Sequence, residues 1–87
     1  MSFKQYKRKQ IAELREVTED DIKQYNTKGE LELYVSDNNY TVISISQEDI
    51  KNGSPKIGDM IARNPNNYYD QWFVAEKYFN DNFENID

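Results

Sequence analysis

The chain has neither cysteine nor histidine among its 87 residues. Without cysteine there is no disulfide and no thiolate nucleophile, and redox compartment leaves no trace. Without histidine there is no imidazole acid–base pair and no His-based triad. Together the two absences exclude the usual Cys/His zinc sites. Long apolar runs are also missing, since nothing approaches the ~20 residues that span a bilayer. The opening Met1-Ser2-Phe3-Lys4 is basic, but no apolar stretch of the signal-peptide kind follows it. The expectation is a soluble, cytoplasmic protein with no membrane partner. Glycine and proline are scarce, at three and two, so each one marks a turn worth reading.

What is present points to a folded domain. Hydrophobic residues make up 37%, charged residues 31% and aromatics 14%. Disordered chains are poor in aromatics, so this length reads as one domain, 1–87, with one thin core. The segment Gly58 to Glu84 holds the only Trp, three of the four Phe and three of the seven Tyr. It is expected to supply much of the core. The net charge of −5 is uneven. Residues 4–9 form a basic arm, whereas 13–21 carry Glu13, Glu16, Glu19, Asp20 and Asp21 against Arg15 alone. An acidic balance disfavours phosphate backbones and suits a basic partner.

Local patterns give an α+β outline of about five short, mostly antiparallel strands in two hairpins, with a C-terminal helix packed on the sheet. Ile11, Leu14 and Val17 fit a helical period, yet Phe3, Tyr6 and Ile11 fit neither period, and a strand over 9–16 stays open beside the helix. Thr18 reads as an N-cap, with Asp21 in the capping-box position and a short helix to about Tyr25. Gly29 or Asn26 then supplies a left-handed turn. Leu31, Leu33 and Val35 alternate with Glu32, Tyr34 and Ser36. After Asp37-Asn38-Asn39, a β-branched run from Tyr40 to Ile45 completes a hairpin. Ser46 starts one helical turn over 47–51, which Asn52-Gly53-Ser54-Pro55 ends. Strand Met60–Arg63, a longer loop around Asn64-Pro65-Asn66-Asn67, and the run Gln71–Ala75 form a second hairpin. From Glu76, Phe79, Phe83 and Ile86 recur at helical spacing, a stripe expected to lie across the sheet.

Two parts of the chain carry a resemblance. Tyr6-Lys7-Arg8-Lys9 followed by Ile11-Ala12-Glu13-Leu14-Arg15 resembles the opening of small uncharacterised phage and prophage proteins. Their ending is similar to Gly58-Asp59-Met60-Ile61-Ala62-Arg63, then Gln71-Trp72-Phe73-Val74, then Tyr78-Phe79 and Asn82-Phe83-Glu84. The likeness covers 6–15 and 42–84, and leaves 23–41 as an insertion hairpin particular to this chain. It implies that the first segment is a strand, and that the chain is of phage or prophage origin and acts in the host cytoplasm. It implies no activity, cofactor or site residue.

Each candidate site has a plainer counterpart. Neighbouring strand residues face opposite ways, so Trp72 and Phe73 cannot both be core. An outward Trp72 beside Tyr68 and Tyr69 would be an interface anchor, and the plainer reading covers one with the helix and the other with a loop. Arg63 is either an anion clamp or a surface ion pair to Asp59 or Asp70. Glu16, Glu19, Asp20 and Asp21 either engage a basic partner or are a capped, solvated helix start. The basic arm either touches nucleic acid or protects a strand edge. Asp37-Asn38-Asn39 and Asn80-Asp81-Asn82 lack calcium-loop spacing. The nucleophile candidates, Ser, Thr, Lys and Tyr, have no His or Cys partner, and nothing places a pair of carboxylates in a cleft to act as acid and base.

By analogy with the phage proteins it resembles, the chain is expected to be a non-enzymatic accessory protein, without cofactor or metal, that binds a host or anti-phage defence protein as an inhibitor. The residues expected at the interface are Tyr68, Tyr69, Trp72, Glu16, Glu19, Asp20 and Asp21. The alternatives are a self-assembling virion component and a weak nucleic-acid binder using the basic arm.

Overall fold

The computed structural model describes residues 2–5 and 11–84. The order of elements is β1 (Glu13–Glu16), α1 (Glu19–Lys23), β2 (Glu30–Ser36), β3 (Asn39–Ser44), α2 (Gln47–Lys51), β4 (Met60–Asn64), β5 (Asn67–Val74) and α3 (Glu76–Asn82). This is an α+β domain with five antiparallel strands in two sheets. One sheet has the order β1-β4-β5 and the other is the β2-β3 hairpin. β3 runs beside β5, where the Thr41 hydroxyl donates to the Tyr69 carbonyl at 3.2 Å. The expected first strand is shorter than 9–16; its residues 9–10, most of the basic arm, and Ile86 lie outside the described residues.

The core differs from the aromatic one expected. Its buried cluster is aliphatic: Val17, Leu31, Leu33, Ile43, Ile45 and Ile61, with Ile22, Tyr25, Ile50 and Phe73 packed around it. Four of the six come from β2, β3 and the residue after β3. Leu31 and Leu33 are almost wholly enclosed, and such burial contributes about 2 kcal/mol for each Leu. The β2-β3 hairpin, which begins within 23–41, thus supplies much of this cluster. Tyr25 and Phe73 reach it only from the side, and Tyr34, Tyr40, Tyr68, Tyr69 and Tyr78 are exposed.

Local signals explain the elements. Asp37-Asn38 makes a two-residue turn, with Asn38 at φ 62°, a conformation that asparagine tolerates. Gly29 sits at φ 76°, and its carbonyl accepts the Ile45 N–H at 2.9 Å, closing the base of the hairpin. Ser46 caps α2 by accepting the Asp49 N–H at 3.1 Å.

The second hairpin is tighter than expected. Asn64 pairs with Asn67 around a two-residue turn, and the register then jumps so that Arg63 faces Gln71. Tyr68, Tyr69 and Asp70 bow out as a bulge. The bulge is stitched by Gln71 Nε2 donating to the Tyr68 carbonyl at 2.8 Å and by the Tyr69 N–H donating to Asn67 Oδ1 at 3.2 Å. Phe79 of α3 stacks at 5.7 Å on Phe83, the residue that caps the helix C-terminus, and no residue of the helix is fully buried.

Candidate functional site

Three charged constellations organise the surface, and each is internally satisfied. The first centres on Asp59, whose side chain has no solvent exposure. Its Oδ2 accepts from the Ser54 hydroxyl at 2.8 Å and the Lys56 N–H at 2.9 Å. Its Oδ1 accepts from the Glu76 N–H at 2.9 Å and from Lys56 Nζ at 3.3 Å. Burial alone would raise its pKa, but these donors outweigh burial and hold it below the usual carboxylate range. Ala75, the N-cap residue of α3, has no side-chain hydrogen bond to offer. Asp59 performs that task from β4's entry. Gly58, just before it, sits at φ 106°, a backbone conformation that L side chains rarely adopt, and a Cβ there would displace the flexible Glu76 carboxylate.

The second constellation answers the acidic run. Asp21 forms a capping box with Thr18 and a bidentate pair with Arg15, at 2.7 and 3.0 Å. It is 8% exposed. Burial would raise its pKa, and the Arg15 and Thr18 hydrogen bonds lower it on balance. Asp21 is therefore turned inward by its own cap and ion pair, and it drops out of the expected interface set. Glu16, Glu19 and Asp20 remain exposed.

The third constellation corrects the reading of Arg63. Its partner is neither Asp59 nor Asp70 but Glu13, directly opposite on β1, at 2.8 Å. The Arg63 guanidinium also lies 3.8 Å from the Tyr68 ring centroid. Cross-strand position decides the pairing, whereas Asp70 instead accepts from Asn64 at 3.4 Å.

Among the expected aromatics, Tyr68 and Tyr69 are exposed and come together on the bulge. Phe73 opposes Ile61 and packs against the core, whereas Trp72 opposes Ala62 on the other face. Trp72 is half-buried, so it is not the open anchor that the Tyr pair is.

Three exposed apolar side chains escaped the sequence reading as site residues. Tyr34 is 77% exposed, Tyr40 56% and Val42 47%. Tyr34 and Tyr40 are a cross-strand pair, with rings 6.4 Å apart and edge-to-face. The signal was present, because Tyr34 occupies the polar phase of the alternation that buries Leu31 and Leu33. Between β1 and the end of β2, Arg15, Tyr34, Arg63 and Gln71 are among the residues lining a groove of about 350 Å³.

Among the described residues, no group of three or more acidic side chains is gathered as metal ligands, and no helix is long and apolar enough to cross a membrane. The fold and its surface thus define a small α+β domain whose open features are aromatic and acidic. The chain matches no protein-family model, and no curated protein or solved structure is significantly similar to it.

Proposed function

We propose that this chain is a non-enzymatic protein-binding domain, an accessory protein of phage or prophage origin that engages a host or anti-phage defence protein in the host cytoplasm. The observation that supports binding is the placement of Tyr34, Tyr40, Val42, Tyr68 and Tyr69. All five are exposed, on two hairpins held side by side by the Thr41–Tyr69 hydrogen bond. Tyr is enriched among residues that dominate interface energies, because it offers a large rigid surface with few rotors. The suggestion of phage origin rests on the likeness of the chain's opening and ending to those phage proteins. The net charge of −5 argues for a protein partner over nucleic acid.

The test is affinity capture from lysate of the bacterial host, followed by light scattering of the eluted species. A stoichiometric complex with one host protein is expected. A tagged chain that elutes alone, or that forms a defined particle with itself, would contradict the reading.

A further inference from the structure

Among the described residues, Arg63 shows a particular combination of contacts. The Arg63 guanidinium is held between a carboxylate, Glu13 at 2.8 Å, and an aromatic ring, Tyr68 at 3.8 Å. The outer face of the β2-β3 hairpin offers the same combination without the cation. On that face the cross-strand pairs are Glu30 with Ser44, Glu32 with Val42, and Tyr34 with Tyr40. Alternate residues of a strand are about 6.8 Å apart, so the Glu32 carboxylate and the Tyr34–Tyr40 rings are within one side chain's span. Glu30 is partly engaged by Asn26, at 3.3 Å, whereas Glu32 is exposed and its side chain makes no hydrogen bond or ion pair among the described residues.

Among the described residues, no ion pair or cation–π contact places a cation on this face. Residues 29–50 contain five acidic residues and no Lys or Arg. Arg15 and Arg63, which share the groove beside Tyr34, are already paired: Arg15 with Asp21 and Arg63 with Glu13. An aromatic face with free carboxylates and no base attracts a guanidinium both through charge and through the ring quadrupole.

We infer that the outer face of β2-β3 is a docking surface for an extended, arginine-bearing segment of a partner protein, with the guanidinium seated between Glu32 and the Tyr34–Tyr40 rings and apolar neighbours lying on Val42. The inference rests on the protein-binding reading and adds the chemistry of the partner. Arginine suits the site better than lysine, because a planar cation pairs with a carboxylate and stacks on a ring at once.

The test uses the full chain, isotope-labelled for amide NMR, titrated with a short synthetic peptide of alternating arginine and threonine. Shifts confined to residues 30–34 and 40–44 are expected. Glu32→Gln, and separately Tyr34→Ala with Tyr40→Ala, should each weaken the interaction about fivefold. The lysine version of the peptide should bind less tightly. Several outcomes would overturn the inference: shifts spread equally over Glu19–Asp20 and Glu48–Asp49, shifts indifferent to these substitutions, no shifts at all, or peptide-free shifts that grow with protein concentration and mark a second copy. If the host partner is still captured while the peptide fails, the inference falls and the protein-binding function stands.

Discussion

The fully buried carboxylate of Asp59 accepts the backbone N–H of Glu76 at 2.9 Å, across a separation of 17 residues. The same residue's carbonyl accepts the Val17 N–H at 2.8 Å. One side chain therefore fastens α3 to the loop before β4, and its backbone fastens the chain leaving β1. Removing it leaves the buried Ser54 hydroxyl and the backbone N–H groups of Lys56 and Glu76 without this acceptor.

Asp59→Ala should cost about 4 kcal/mol, measured by urea unfolding. Exchange protection at the Phe79 and Phe83 amides should fall with it, because the N-terminus of α3 loses its cap. An unfolding midpoint close to that of the parent would mean that Asp59 does not hold the helix.

Gly58→Ala should destabilise by about 2 kcal/mol, from backbone strain at positive φ and from crowding of Glu76. Adding Glu76→Ala removes the crowding but not the strain. A double-mutant cycle should therefore show coupling of about 1 kcal/mol between the two positions. Simple additivity would place the whole cost in the backbone.

Stability should depend on pH through Asp59 and Asp21, whose pKa values are both lowered in the fold. A carboxylate with a depressed folded pKa stabilises the fold above its unfolded value of about 3.9 and loses that contribution as pH falls through the folded value. Unfolding free energy should accordingly be flat with respect to these groups near neutrality and decline below about pH 4. Asp59→Asn should make that acid limb shallower. An unchanged limb would assign the acid sensitivity to other groups.

Adjacent positions on β2 should behave oppositely. Leu33→Ala opens a cavity in the core and should cost about 3 kcal/mol, whereas Tyr34→Ala, on the solvent face, should stay within about 0.5 kcal/mol. Thermal denaturation of the two variants checks the register directly. Similar losses at both positions would mean that the hairpin does not present Tyr34 to solvent.

Local chemistry made much of this fold legible. Thr18 with Asp21, Ser46, Gly29 and the Asp37-Asn38 turn each carry their conformation in their own side chains, and period-two alternation fixed β2. What escaped was long-range. Arg63 could not be matched to Glu13 without knowing that β1 lies antiparallel beside β4. Asp59 gave no hint of its bond to Glu76, because nothing in a sequence says which helix end a distant loop will meet. The weight placed on aromatics as core was misplaced for a physical reason: a thin interior is filled by Leu, Ile and Val, and tyrosine keeps its hydroxyl at the edge. Tyr34 and Tyr40 suit a strand whether covered or open, so their residue type alone does not mark an exposed pair.

The central claim is that the exposed tyrosines serve binding and not folding. The most direct measurement pairs unfolding free energy with partner capture for the double variant Tyr40→Ala, Tyr69→Ala. The account predicts stability within about 1 kcal/mol of the parent and loss of the captured host protein. Undiminished capture by a folded double variant would contradict it.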